Sequence, residues 1–313
     1  MVYAPCYNLP MPKPTSKPNV YEMVTEKIIA QLKAGVVPWH KPWSASFQAP
    51  RNLLTGKSYR GINIFLLSLA GYDSPYWLTF KQALELGGNV KKGEKGTVAV
   101  FWKAREIAIE GEEGEEQTRR VPVLRYFTVF NLSQCENIEA LPTEAPRTAP
   151  SPIAACEEIV ACYQGRPTSD HGGDRACYSP LKDHISMPEP KTFDSMAHYY
   201  ATLFHEFAHS TGHQKRLGRP GIVDFDTFGS HQYSKEELVA EMGAAFLAAR
   251  AGIDAEGLLD NSAAYIRSWL QKLENDQKMV VQAAAQAQRA ADLILGVKWD
   301  EKPADTDEKR EAA

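Results

Sequence analysis

Five consecutive residues, His205-Glu206-Phe207-Ala208-His209, carry the most specific chemistry in the chain. On a helix, the i, i+4 spacing turns both imidazoles to one face, where they converge on a single divalent ion. Glu206 then stands beside the ion's water without ligating the ion, which is the position of a general base. His205 and His209 are therefore the expected metal ligands and Glu206 the expected catalytic residue. The required helix is legible as well. Asp194 or Ser195 supplies a cap, and Met196, Tyr200, Leu203 and Phe207 form an apolar stripe beside the two histidines.

A hydrolytic metal needs a third protein ligand and an open position. An HExxHxxGxxH pattern would find its glycine at Gly212, but Lys215 occupies the last position and His213 comes two residues early. Tyr233 to Ala249 reads as a second helix, with Ser234 as cap and Glu237 and Glu241 one turn apart. In one arrangement, which resembles that of gluzincins, Glu237 is the ligand and Glu241 holds a ligand histidine in place by a hydrogen bond. In the other, Ser234 and Glu237 form a capping box and Glu241 becomes the ligand. Both stay open. His213, after a helix-ending glycine, and His231, in a loop, are weaker candidates. The expected ion is zinc, with manganese or another divalent metal open, and the expected reaction is attack of activated water on a peptide carbonyl. Gly243, Ala244 and Ala245 let the two helices approach closely. Arg175 to Pro188 reads as two short strands, of which Asp183 to Met187 is the candidate edge for pairing with an extended peptide. Tyr178, Tyr199 and Tyr200 default to stacking or core roles.

These elements sit in a chain of 313 residues, 43% hydrophobic and 24% charged, the composition of a globular protein with room for two cores. There is no apolar run of about 20 residues and no basic-then-apolar leader, so a cytoplasmic protein without a membrane partner is expected. Five scattered cysteines without a CxxC pair argue against a disulfide framework and a thiolate zinc site.

Charge divides along the chain. Residues 1–105 hold 14 Lys+Arg against 5 Asp+Glu, and the remainder 21 against 34, which leaves +9 beside −13. One half is suited to a polyanion. Between the halves, Glu139 to Ile153 repeats proline without apolar periodicity and reads as a linker. In the basic half, helices are expected over Val20–Ala34, Ile62–Ala70 and Thr79–Leu86, and a β-hairpin over Thr97–Ile109 and Val121–Asn131 around the turn GEEGEE. Aromatic and basic residues interleave there: Trp39, Lys41, Trp43, Arg51, Asn52, Lys57, Tyr59, Arg60, Asn63, Trp77, Lys81, Lys91 and Lys92. Aromatic faces stack on unpaired bases while cations follow phosphates, so this composition fits single-stranded DNA; ordinary core is the competing use of the tryptophans. The stretch GGNVKKGEKG is either a flexible basic loop or a polar turn.

Several of these stretches are familiar. VTEKIIAQLKAGVVPWHKPWS, TGKSYRGIN, WLTFKQALELGG, VKKGEKGT and VFNLSQC resemble the N-terminal domain of ArdC-type antirestriction proteins, a domain shared with TraC-type plasmid primases. DHISMP, YYATLFHEFAHSTGH and EELVAEMGAAF resemble the zincin-like metallopeptidase domain that follows it. The resemblance implies a two-domain α+β protein: a small α+β single-strand DNA-binding domain (1–138), a Pro-rich linker (139–152) and a zincin-like domain (153–313). It also implies protection of incoming DNA from host restriction during conjugation; the partner expected for the peptidase reaction is an unknown protein substrate such as a host restriction component. Its metal motif falls on His205, Glu206 and His209, while the EELVAE stretch inherits the choice between Glu237 and Glu241. Two other readings compete: a non-catalytic DNA-binding protector with a structural metal, and a metallopeptidase whose basic domain docks on a protein.

Overall fold

The Asn19 side chain opens the first helix, α1 (Val20–Lys33), by accepting the Tyr21 N–H. Val24, Ile28 and Leu32 recur at helical spacing and are buried. The computed structural model describes residues 19–40, 48–110, 116–138, 151–224, 231–253 and 263–297. The first half continues through β1 (Arg51–Asn52), α2 (Ile62–Ser68), β2 (Tyr76–Leu78), α3 (Phe80–Glu85) and β3 (Asn89–Val90). Thr79 caps α3 in a reciprocal box with Gln82. The expected hairpin is present as β4 (Thr97–Glu110) and β5 (Glu116–Asn131), in antiparallel register from Thr97 opposite Val129 to Glu110 opposite Glu116. A mixed four-stranded sheet has the order β1-β2-β5-β4, and β3 pairs with the short β6 (Cys135–Glu136). That pairing fastens the GGNVKKGEKG stretch, as do the bonds from Gln134 Nε2 to Glu94 and to the Lys95 carbonyl.

The second half begins at α4 (Pro152–Cys162), capped by Ser151, so the last residues of the expected linker are already ordered structure; residues 139–150 lie outside the described residues. A small sheet follows, from β7 (Thr168–His171), β8 (Cys177–Ser179) and β9 (His184–Met187). Then come α5 (Met196–Ser210), the short α6 (Pro220–Val223), α7 (His231–Ala251), α8 (Ala263–Asn275) and α9 (Met279–Ile294). Strand β9 is not an edge. It pairs in parallel with β7 and antiparallel with β8, so its backbone has no side left for a peptide, and the edges are β7 and β8. Tyr178, Tyr199 and Tyr200 are engaged with Asp183, His171 and Glu157 respectively. The four described cysteines are free thiols.

Both halves contribute to one apolar cluster, in which Val24, Ile28, Trp39 and Phe65 lie with Phe246, Trp269, Val280 and Ala284. The Phe65 ring stacks on Phe246 at 5.1 Å, and Trp39 meets the edge of Trp269 at 5.9 Å. Polar ties cross the same seam: Thr25 Oγ1 donates to the Gln277 carbonyl at 2.7 Å, and Arg60 pairs with Asp292.

This arrangement corrects the stacking role expected of two tryptophans. Trp39 is 0% exposed and Trp77 2%, so neither indole has a face to offer a base. Asn52 is buried too, its Oδ1 accepting the Leu54 and Thr55 N–H groups and its Nδ2 donating to Gln82. Asn63 is spent on the Val100 backbone, to which it both donates and accepts. As Trp39 is core, Trp39→Ala should lower the unfolding free energy by about 3–5 kcal/mol, measured by urea titration; unchanged stability would return the indole to the surface.

Candidate metal centre

Helix α5 is built as the motif requires. Ser195 Oγ accepts the His198 N–H as N-cap, while Asp194 sits 3.5 Å from the His198 ring. Tyr200, Leu203 and Phe207 are buried as expected, together with Tyr199 and Phe204, whereas Met196 at the first turn is exposed. One face carries both metal-motif imidazoles. Their Nε2 atoms stand 3.0 Å apart, and the rings are nearly perpendicular at 81°.

The third donor comes from α7. Glu237 Oε2 lies 3.7 Å from His205 Nε2, and its Oε1 lies 3.7 Å from His209 Nε2. The two nitrogens stand 3.0 Å apart and each lies 3.7 Å from a different oxygen of one carboxylate, so three donor groups close into a triangle within 4.8 Å of one another. Ligand bonds of about 2.05 Å in a tetrahedral site put donors roughly 3.4 Å apart, so the triangle fits a zinc-sized ion. Among the described residues it is the one such cluster of histidine, cysteine and carboxylate groups. Glu206 is buried, and its charge adds to the causes that raise the pKa of His209 and of the Tyr233 hydroxyl.

Glu241 does neither of the jobs the sequence offered it. Its Oε2 accepts the Trp39 indole N–H at 2.7 Å and the Tyr265 hydroxyl at 2.5 Å, and the Tyr265 hydroxyl also meets His40 at 3.2 Å. The capping-box alternative fails because α7 is already helical at His231, which leaves Ser234 inside the helix and buried. His231 belongs to that helix rather than to a loop, and bonds Asp276. His213 turns toward Asp183.

The carboxylate that orients a ligand histidine is Glu236, which sequence reasoning missed. Its Oε1 lies 3.3 Å from His209 Nδ1, and Arg219 grips it at both oxygens, at 2.8 and 2.5 Å. A proton held on Nδ1 by this carboxylate leaves the Nε2 lone pair for a metal. Arg219 also donates to the Thr211 hydroxyl and the Ala208 carbonyl, which ties it to the end of α5. Gly212 makes the room: a Cβ there would stand 2.9 Å from an Arg219 nitrogen. The available signal was Glu236 adjoining Glu237, with Arg216 and Arg219 in the preceding turn region.

The electrostatics favour positive charge in the triangle. Burial works against protonated His209, but the hydrogen bond to Glu236 and the charges of Glu237, Glu236 and Glu206 outweigh it and raise the pKa. Burial also opposes the Glu237 carboxylate, yet the two imidazoles and the Tyr233 hydroxyl hold its pKa down to about 2. Glu236 is likewise lowered: burial resists its charge, and Arg219 followed by His209 prevails.

The residues expected to meet DNA scatter. Arg51, Tyr59 and Arg60 line a cavity of about 420 Å3 with Arg250 and Gln288 from the other half. Lys57, Lys81, Lys91 and Lys92 are exposed, and Lys91 Nζ donates to the Ser133 carbonyl. Lys41 and Trp43 lie outside the described residues.

Two family models match in the order of the two halves: the N-terminal domain of anti-restriction factor ArdC over residues 18–130, and a zincin-like metallopeptidase over residues 155–286. The metal-free crystal structure of the antirestriction protein ArdC from plasmid R388 is 39% identical, with a TM-score of 0.68 over 88% of this chain and 96% of that one. The chain belongs to the ArdC antirestriction family. The Mn(II)-bound form of the R388 protein matches equally well, at TM-score 0.68 and 38% identity over 88% of this chain and 97% of that one. A DNA primase TraC of Escherichia coli is 38% identical over 89% of this chain, which spans only 27% of the primase. In this family member, no described helix is long and apolar enough to cross a membrane.

Two measurements follow from this geometry. Titration against a chromogenic chelator should show metal binding lost in Glu237→Ala, weakened about 10–100-fold in Glu236→Gln, and unchanged in Glu241→Gln. Lost binding in Glu241→Gln alone would reverse the assignment. Away from the metal, burial opposes the Asp183 carboxylate, but Arg216 and Tyr178 hold its pKa below the ordinary value. A depressed folded pKa adds stability above about 3.9, the unfolded value, that is lost as pH falls through the folded one. Asp183→Asn should therefore flatten the fall of Tm below about pH 4; an unchanged acid limb would contradict the pairing.

Proposed function

We propose that this family member binds single-stranded DNA through its first half and hydrolyses peptide bonds at a divalent metal centre in its second, protecting incoming DNA from host restriction during conjugation. The proposed division is a DNA-binding domain over 1–138, a linker over 139–152 and a metallopeptidase domain over 153–313. The observation that carries the hydrolytic reading is the His205–His209–Glu237 cluster, with Glu206 buried in the same turn of α5. Those three residues would hold the ion. Two imidazoles and a carboxylate suit zinc, and the Mn(II)-bound relative is the reason to include manganese. When bound, such an ion polarises a carbonyl and brings the pKa of water to about 7. Glu206 takes the proton of the attacking water and delivers it to the leaving nitrogen. Glu236 and Arg219 keep His209 in register. The proposed substrate is a protein of the host restriction machinery, met in the cytoplasm.

A second reading has support in the Trp39–Glu241 bond, which fastens the metal-bearing helix to the first half. In that reading the ion stiffens a DNA-binding protector and no peptide is cut. Glu206→Gln separates the two. Metal content should persist while hydrolysis of a denatured protein such as casein falls about 10²–10⁴-fold. Antirestriction lost along with hydrolysis supports the enzyme, and full antirestriction without hydrolysis supports the protector. Single-strand affinity that fails to weaken with salt would leave the basic half as a protein-docking module.

A further inference from the structure

We infer that one face of the β4–β5 hairpin is the surface that tracks the single strand, an assignment that rests on the DNA-binding reading above and locates it. Residues opposite one another in an antiparallel pair share a face, and the same face returns every second residue. The register places Phe101 opposite Arg125, Lys103 opposite Val123, Arg105 opposite Val121 and Ile107 opposite Arg119. Each of these four successive rows joins one cation to one apolar side chain. All four cations are exposed, the apolar residues are half-buried, and none of the cations has an ion pair among the described residues. The intervening rows look the other way and differ in kind. There Val100 and Leu124 enter the core, Trp102 meets Tyr21 of α1, and Glu106 neutralises Arg120.

Rows repeat about every 6.6–6.8 Å along a strand, so the four cations form a ladder roughly 20 Å long. A ladder of positive charge without a carboxylate complements a polyanion. Its apolar partners decide which polyanion: a duplex hides its base faces, whereas an unpaired strand lays bases against such side chains while its phosphates reach the cations. Trp39 and Trp77, expected to do this from composition, are buried, and this face supplies the same chemistry by register.

The test uses the full chain and a fluorescent oligo-dT of about 20 nucleotides, long enough to exceed the ladder, in anisotropy titrations across a salt series. Lys103→Gln, Arg105→Gln, Arg119→Gln and Arg125→Gln combined should weaken binding at least about tenfold at low salt and reduce the log–log salt slope by about 3, since each lost phosphate contact removes about 0.7. Arg120→Gln, on the opposite face, should leave both values as they are. The double variant Arg105→Gln, Arg125→Gln should fall between, and matching circular dichroism and Tm establish that the variants are folded. Wild-type binding with an unaltered slope in the fourfold variant would overturn the surface and leave the DNA reading intact. An equal loss in Arg120→Gln, or competition by duplex as effective as by single strand, would also overturn it. Absence of wild-type binding would remove the DNA reading itself.

Discussion

Three glutamates of one helix, Glu236, Glu237 and Glu241, are carried toward the interior, and the way each charge is matched organises the molecule around them. An ion moved out of water costs several kcal/mol unless donors replace the solvent. Glu236 and Glu241 are only 5% and 8% exposed. The first is gripped by Arg219, the second by the Trp39 indole and the Tyr265 hydroxyl. Glu237 faces two imidazoles and the Tyr233 hydroxyl, with no arginine or lysine among these partners, which is the arrangement a divalent ion would suit. Adjacent residues on a helix point about 100° apart, so Glu236 and Glu237 serve opposite sides of His209. Glu241 lies one turn further, displaced by about 5.4–6 Å, far enough to exchange the ion for an indole.

The donor for Glu241 comes from the first half of the chain, which gives the shared apolar cluster a chemical counterpart. Remove Trp39, and a buried carboxylate one turn from Glu237 loses a hydrogen bond while the cluster loses one of its two tryptophans.

Local rules were legible in the sequence and long-range partners were not. Caps at Thr79 and Ser195, the hairpin and the His205–His209 face follow from contacts within a few residues, and each is present. The Ser234 capping box obeyed the same rules and is absent, because helix α7 is already formed upstream of Ser234 and tertiary packing buries its hydroxyl environment. Choosing between Glu237 and Glu241 required knowing that a tryptophan some 202 positions away would claim the latter. Composition likewise saw aromatics among cations but could not see depth, so Trp39 and Trp77 were grouped with surface lysines. The ladder of the hairpin was hidden for a different reason: its cations fall on both sides of an acidic turn, and only the register aligns them.

Two glycines show how a motif's letters can be kept for reasons unlike those of the pattern they match. Gly212 occupies the glycine position of a longer histidine motif, yet Lys215 stands where its third histidine would be. What the missing Cβ admits is the Ile222 side chain and the Arg219 guanidinium, which a Cβ would meet at 2.6 and 2.9 Å. Gly243 does the same between helices, since a Cβ there would meet the Ala208 methyl at 3.0 Å. Ala208 lies inside the metal motif, between Glu206 and His209, so the spacing of α5 and α7 is set at the motif itself. A larger residue at either position would push the helix of Glu237 away from the helix of the two histidines. Because donor groups only 3.0 and 3.7 Å apart tolerate little such movement, the smallest side chains of the site govern how closely its imidazoles and carboxylate converge.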